Sequence, residues 1–163
     1  MKAFYYLTIT VIIFSFLSCK QKEIQFSNEQ KEVIEKEVKE QFNLFVDALN
    51  MKDVAKWSKF YSDSSFISSI VATNLYLTKT EWVETITKYF SMRKEQRIKI
   101  NEIKISALSQ DLALLTSEDF TTLMMDNDST QTFKHIFSLI WKKEQAGWKI
   151  INSHESMDEI PGN

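Results

Sequence analysis

The chain has 163 residues, enough for one domain with a substantial core. Apolar residues make up 44% of it and aromatic residues 13%, which is typical of a globular protein and not of a disordered one. A formal net charge of -2 gives no electrostatic basis for binding nucleic acid, and two glycines are too few for a Gly-rich phosphate-binding loop. The sequence therefore predicts no nucleic-acid partner.

The N-terminus predicts a lipoprotein signal peptide. Lys2 precedes an apolar run over residues 3–17, which is shorter than the roughly 20 residues of a membrane-spanning helix. The run ends in Phe16-Leu17-Ser18-Cys19, which resembles the lipobox of bacterial lipoproteins, where the cysteine is lipidated and becomes the first residue. The alternative is an ordinary cleaved signal with an incidental cysteine.

On the lipoprotein interpretation, residues 1–18 are the signal peptide, Cys19 is the lipid-attachment site and residues 19–27 are a polar tether. Cys19 is the only cysteine, so no disulfide and no thiolate metal site are expected in the domain. Lys20 follows it in place of Asp, which by resemblance to known lipoproteins argues against retention in an inner membrane. We expect a lipid-anchored protein of the bacterial cell envelope, in the outer membrane or facing the periplasm.

A long amphipathic helix is predicted over residues 27–50. Ser27 and Gln30 form a capping box at its start. Its apolar residues recur at helical spacing along one stripe, which consists of Ile34, Val38, Phe42, Phe45 and Leu49.

Three shorter elements follow this helix. The pattern predicts a short helix over residues 52–61 and a strand over residues 62–70. Another helix is predicted over residues 77–90, with Thr78 and Glu81 as its capping box.

The second half of the chain changes to the period-two pattern of β-strands. Short polar turns separate four strands, so neighbouring strands must be antiparallel. Gly147 suits a left-handed backbone position in the last turn. The four strands are predicted over residues 96–108, 111–125, 130–143 and 147–156.

This order of elements predicts an α+β fold. Helices that precede an antiparallel meander cover one face of it, and strands this long must twist and bend around them. We therefore expect a curved antiparallel sheet wrapped on the N-terminal helices, with a cone-shaped cavity between them. The domain is expected over residues 28–157, followed by a C-terminal tail at residues 158–163.

The element order, the segment FYSDSSF at residues 60–66 and the last strand GWKIINSHES resemble the nuclear transport factor 2-like superfamily. The resemblance is strongest to its SnoaL-like branch and to the association domain of calcium/calmodulin-dependent kinase II. It implies a cone-shaped fold that hosts binders, lyases, isomerases and oligomerisation modules, and relatives dimerise through the outer sheet face. Relatives often carry two histidines in the last strand, but Asn152 replaces the first of them here and only His154 remains.

His154 is the first candidate for a functional side chain. In a regular strand it shares a face with Trp148, Ile150 and Asn152, which predicts a place in the cavity wall. An imidazole there could act as a general base. The alternative is a structural histidine near the sheet end or at an oligomer interface.

Tyr61 and Asp63 are weaker catalytic candidates. The resemblance places their segment near the cavity mouth, where Tyr61 could donate to a developing oxyanion and Asp63 could orient His154. The alternative is that Asp63 caps local backbone N–H groups between helix and strand.

Two further groups of polar residues lie in the predicted strands. Glu118 and Asp119 are adjacent in a strand, so one of them faces inward and would have a raised pKa as a candidate base. His135 lies between alternating Phe133 and Phe137 and is also expected to line the cavity.

An acidic turn at Asp126 and Asp128, followed by Thr130, spaces its oxygens like the start of a calcium loop. The glycine and the distal glutamate of such a loop are missing, so a hairpin turn is predicted. We expect no metal and no other cofactor.

The predicted ligand is a small hydrophobic or amphipathic molecule. The aromatic residues that recur through the chain are expected either to surround it or to be plain core. The predicted pocket residues are Trp82, Phe120, Trp141, Trp148 and His154.

Three functions follow from these observations, and the question of enzymatic activity stays open. The first is an exported, lipid-anchored domain that binds a small molecule. The second is a SnoaL-like or ketosteroid-isomerase-like lyase or isomerase that uses His154 or a pocket carboxylate as its base. The third is an oligomerisation or interaction module, with a homodimer as one form.

The lipoprotein interpretation predicts that Cys19→Ala abolishes lipid labelling and releases the protein from the membrane fraction, since the substitution removes the acylated thiol. Metabolic labelling with a fatty-acid analogue and membrane fractionation measure both effects. Unchanged membrane partition of the variant would contradict lipidation at this residue.

Overall fold

The computed structural model describes residues 26–160, so the predicted signal peptide and Cys19 lie outside the described residues. Three helices and six strands follow one another in these residues. The helices are α1 (Asn28–Asn50), α2 (Val54–Trp57), which runs into a 3-10 turn (Ser58–Phe60), and α3 (Lys79–Ser91). The strands are β1 (Ser68–Val71), β2 (Asn74–Tyr76), β3 (Arg93–Ala107), β4 (Leu112–Met125), β5 (Thr130–Glu144) and β6 (Gly147–Ile160).

The strands form one curved, open sheet in the order β2-β1-β6-β5-β4-β3. The antiparallel meander of β3 to β6 confirms the predicted α+β fold. The sheet is mixed, because β1 pairs with β6 in parallel. The sequence did not predict this pairing. Backbone bonds from Ser62 N to Ile150 O and from Ile67 N to Ile151 O lead the chain along β6 before β1 begins.

Both long helices begin as predicted. Ser27 and Gln30 at α1, and Thr78 and Glu81 at α3, bond reciprocally as capping boxes. The apolar stripe of α1 is buried from Ile34 to Leu49, and α3 buries Trp82, Ile86 and Phe90. The two helices cover the concave face of the sheet, because each has only one apolar face to bury.

Strand β6 contains a β-bulge that the sequence analysis missed. Ile140 pairs with Asn152, but Trp141 pairs with Ile150, so one residue of β6 is extra at this point. Ile150 and Ile151 are therefore both buried. Beyond the bulge, every side chain of β6 faces the side opposite to the one a regular strand would give it.

The ends of two strands differ from the prediction. Strand β3 begins at Arg93 and not at Gln96, because Arg93 already pairs with Met125. Strand β6 runs to Ile160, which pairs with Thr132, so the expected tail at residues 158–163 begins too early. Gly147 has a φ of 97°, which confirms the left-handed turn position.

None of the helices between residues 26 and 160 is long and apolar enough to cross a membrane.

The alternation of inward and outward side chains in β5 predicts that two aliphatic substitutions change the free energy of unfolding by very different amounts. Leu139 faces the helices and is fully buried, whereas Ile136 faces outward and is 36% exposed. We expect Leu139→Ala to lower the free energy of unfolding by about 2–5 kcal/mol, because it leaves a cavity in the core. Urea unfolding measures this change.

The matched control is Ile136→Ala on the outer face of the same strand, measured at a protein concentration too low for association. A loss below about 1 kcal/mol is expected there because solvent fills the space. Equal losses for the two variants would contradict the assignment of faces in β5.

Candidate acid–base site

A cavity of about 240 Å³ lies between α3 and the concave face of the sheet. Pockets for drug-sized ligands usually measure about 300–1,000 Å³, so this cavity suits a small molecule. Most of its wall is apolar and includes Ile86, Phe90, Ile98, Leu123, Phe133 and Phe137. The polar side chains that line it are Arg93, Gln96, Thr121, Gln131, His135 and Glu155.

His135 and Asp119 are partners in the sheet. They lie directly opposite each other on β5 and β4, and both are buried. Such cross-strand partners have Cβ atoms about 4.5–5.5 Å apart. His135 lines the cavity, whereas Asp119 does not and lies behind its wall.

Two polar atoms of this pair have no partner among the described residues. Asp119 Oδ2 accepts a hydrogen bond from Ser117 Oγ at 2.7 Å, but Asp119 Oδ1 is buried without a donor. His135 Nδ1 is likewise buried without a partner. Buried polar atoms are rarely left unpaired in proteins, and these two belong to adjacent side chains of opposite hydrogen-bonding character.

Burial shifts both groups toward their neutral forms. It raises the pKa of Asp119 from its ordinary 3.8 to about 6 and lowers the pKa of His135 from 6.5 to about 4, with the charge of Arg93 lowering the latter further. At neutral pH the site therefore holds an Asp119 carboxylate beside an uncharged imidazole.

Glu155 and Arg93 complete the polar part of the cavity. Glu155 lies on β6 opposite Phe137, so it is a diagonal neighbour of His135. Burial raises the pKa of Glu155 to about 7, although the charge of Arg93 opposes this rise. Glu155 is thus protonated in part of the molecules at neutral pH and can either give or take a proton.

The structure corrects the expected place of His154. Its side chain is exposed on the outer face of the sheet, between Ile70 and Ser138, and does not line the cavity. The bulge at Ile150 and Ile151 is the reason, because it reverses the faces of the residues that follow. The structural basis for His154 as a base inside the cavity is therefore removed.

Tyr61 and Asp63 also lie away from the cavity. Tyr61 is buried in the aromatic core, where burial raises the pKa of its phenol well above the usual range despite bonds to Ser153 and Ser69. The Asp63 carboxylate is almost fully exposed and pairs with Lys79 at 2.6 Å, so it does not orient His154.

None of the aromatic residues expected around the ligand lines the cavity. Trp82, Trp141 and Trp148 are buried core residues: Trp82 packs on Tyr76, and Trp148 donates from its indole N–H to Glu37 at 2.7 Å. Phe120 lies on the outer face because Asp119 beside it faces inward. These aromatics stabilise the fold, and other residues form the cavity wall.

The other acidic residues have structural roles. Glu118 faces outward and pairs with Lys134 at 2.6 Å. Asp128 has a φ of 65° in the β4–β5 turn and pairs with Lys94 at 2.5 Å. No group of three metal-ligating side chains occurs in the part of the chain that the structure describes.

Sequence reasoning missed Arg93 and Glu155. Arg93 precedes the predicted start of the strand at residue 96, and regular alternation in the last strand would turn Glu155 outward. The consecutive apolar pair Ile150 and Ile151 was the available signal, because two adjacent inward residues interrupt the alternation of a strand.

Comparisons with known proteins agree with this architecture. A family model described as a SnoaL-like domain matches residues 38–158. No curated protein was found to be similar in sequence to this chain.

Solved structures share the fold at low sequence identity. A protein provisionally named as a scytalone dehydratase, from Novosphingobium aromaticivorans, matches with a TM-score of 0.74 and 10% identity over 84% of this chain and 94% of its own. A nuclear transport factor 2-like protein from Salmonella enterica matches with a TM-score of 0.71 and 18% identity over 80% and 95%. A hexachlorocyclohexane dehydrochlorinase from Novosphingobium barchaimii matches with a TM-score of 0.67 and 7% identity over 84% and 97%. The SnoaL-like family model covers most of the domain that the structure describes. This chain therefore belongs to the SnoaL-like family and has the nuclear transport factor 2-like fold.

Proposed function

We propose that this protein is a lyase or isomerase that acts on a small, largely apolar molecule by acid–base chemistry. The observation that carries the proposal is the buried Asp119–His135 pair, whose imidazole lines an otherwise apolar cavity. A packed core gains nothing from a buried carboxylate and imidazole with unpaired atoms, whereas general acid–base catalysis uses such groups.

In the proposed mechanism His135 is the base. The Asp119 carboxylate accepts Nδ1–H and so leaves the Nε2 lone pair free to remove a proton from a substrate carbon. The resulting imidazolium is stabilised by Asp119. Asp119 thus acts as a positioning residue and His135 as the catalytic residue.

Glu155 is the proposed acid. As a diagonal cross-strand neighbour it lies about 7–8 Å from His135 between Cα atoms, which leaves room for substrate atoms between the two groups. In an elimination the protonated carboxyl gives its proton to the departing hydroxyl group, and water leaves. In an isomerisation the same carboxyl donates to a carbonyl oxygen, which stabilises the enol.

The comparisons support this class of reaction. A dehydratase and a dehydrochlorinase both eliminate a small molecule from a substrate, and proteins with these names share the fold. Fold likeness alone does not establish a function, so we infer the reaction from the side chains of the cavity. A binding protein without catalysis would keep the apolar wall but have no use for the pair.

We further propose that the domain is held at the cell envelope by the lipid on Cys19 and forms a homodimer through the outer sheet face. The sequence from Lys2 to Cys19 supports the first part. Ile136 and Ile160 are exposed apolar side chains on the outer face of β5 and β6, which supports a second copy as partner in the second part.

The acid–base proposal predicts hydrogen exchange at carbon. In D₂O the wild-type protein should catalyse incorporation of deuterium into at least one member of a panel of short-chain and aromatic ketones and 2-oxo acids, measured by NMR. His135→Gln should lower the rate about 10²–10⁴-fold, because it removes the base.

The matched control is His154→Gln, which removes the exposed histidine of the outer face and should leave the rate unchanged. Exchange that needs His154, or that occurs with no member of the panel, would refute the proposed function.

The buried carboxylate predicts that Asp119→Asn stabilises the fold at neutral and alkaline pH. Because folding raises the pKa of Asp119 from 3.8 to about 6, the folded chain binds more protons and loses stability as the pH rises through this interval. Asparagine does not ionise, so the variant does not lose this stability. Its free energy of unfolding should exceed that of the wild type only slightly below pH 3.8, and by on the order of 3 kcal/mol above about pH 6. Urea unfolding across this pH range measures it.

The control substitution is Glu118→Gln on the outer face. Lys134 lowers the pKa of the Glu118 carboxyl, so removing its charge should give no gain at any pH. A pH-independent difference between Asp119→Asn and wild type would show that Asp119 is not a buried titrating group.

A further inference from the structure

We propose that the substrate is a small carboxylic acid whose carboxylate is bound by Arg93, while the apolar wall of the cavity holds its hydrocarbon part. The inference deepens the proposed function, since Arg93 and His135 line one cavity. It concerns the chemical class of the ligand, which the acid–base pair does not specify.

Arg93 is held in place by contacts with three elements. Its guanidinium lies 5.5 Å from the centre of the Tyr89 ring on α3 and donates to Gln96 Oε1 at 2.5 Å. Gln96 Nε2 in turn donates to the main-chain oxygen of Leu49 on α1 at 3.2 Å. The main-chain oxygen of Arg93 accepts a hydrogen bond from Lys52 Nζ. The guanidinium is thus oriented before any ligand binds, which reduces the entropy lost on binding.

The charge of Arg93 has no counter-ion in the described part of the chain. Its guanidinium is half-buried, and the ion pairs of residues 26–160 do not include it. A guanidinium stays protonated in proteins, so partial burial without an anion is unfavourable unless a ligand supplies one.

Glu155 is the carboxyl group whose negative charge acts on Arg93, but it neutralises the guanidinium only in part. Burial raises the pKa of Glu155 to about 7, and Arg93 limits this rise without forming an ion pair with it. Near neutral pH a protonated Glu155 leaves the guanidinium free for an external anion. Both groups line the cavity from different strands, so Glu155 is available to act on another part of the ligand.

A carboxylate fits this site better than other anions. The planar guanidinium bonds a carboxylate through two parallel N–H groups, and the rest of the wall is apolar, with phenylalanine rings at positions 90, 133 and 137. The volume of about 240 Å³ restricts the hydrocarbon part to an aromatic ring or a short chain. The inferred ligand is therefore an aromatic or short-chain carboxylic acid.

The test compares pairs of probes that differ only in charge. Benzoate, phenylacetate and 3-phenylpropionate are titrated beside their amides at pH 7, by calorimetry or ligand-observed NMR, into the full-length wild-type protein. At least one acid should bind about ten- to a hundredfold tighter than its amide, the ratio expected of a charge-assisted bidentate contact.

Arg93→Met should abolish this preference while retaining weak binding of the amide, and Arg93→Lys should keep part of it, because an ammonium bears the charge but lacks the planar fork. The matched control is Lys94→Met, which removes an exposed cation that pairs with Asp128 and should leave the preference intact. Thermal unfolding of each variant without ligand identifies a folding defect, in which case Arg93→Lys decides the question.

Equal affinity of every acid and its amide for the wild type, no binding by any probe, or a preference that survives Arg93→Met would overturn the inference. The deuterium-exchange experiment measures catalysis that depends on His135. It can therefore give a positive result with neutral ketones even if the protein does not prefer acids to amides. The reverse result, selective binding of acids without exchange, would leave the carboxylate site standing and remove the catalytic proposal.

Discussion

The β-bulge at Ile150 and Ile151 is the constraint on which the chemistry of the cavity depends. Side chains of a strand alternate with a period of two, so one extra residue exchanges the two faces of everything beyond it. The exchange turns Glu155 toward the helices and His154 toward the outside. Trp148 and Ile150, which precede the extra residue, stay in the core. One end of the strand therefore contributes to the core and the other end lines the cavity.

The polar residues inside the cone are unfavourable for folding, because the burial of apolar side chains stabilises this structure. Most inward side chains of the sheet are apolar, and their burial stabilises the fold. Asp119 and His135 occupy inward positions in the same rows, where burial disfavours their charged forms and leaves one atom of each unpaired. Asp119 and His135 are the acidic and the basic side chain among the buried residues of the described part, and ionisable groups placed in a core concentrate at functional sites.

Family membership and site chemistry answer different questions about this protein. The SnoaL-like match over residues 38–158 establishes the family, and the structural neighbours at 7–18% identity establish the fold. The same cone can serve binders, enzymes and assembly modules. This chain combines an imidazole beside a buried carboxyl group, a second carboxyl whose pKa burial raises to about 7, and a guanidinium without an ion-pair partner in the described residues, all around one small apolar cavity.

The sequence by itself determined the order of elements, both capping boxes and the antiparallel meander, because caps, periodicity and short turns are local features. It offered His135 as a candidate cavity residue. It also limited the choice between Glu118 and Asp119 to one inward acid. Only the tertiary structure decided the parallel pairing of β1 with β6, the bulge in β6 and the entry of Arg93 into the cavity. These features depend on contacts between residues far apart in the chain, and a shift of one residue in such pairing changes which side chains face the site without changing the local pattern.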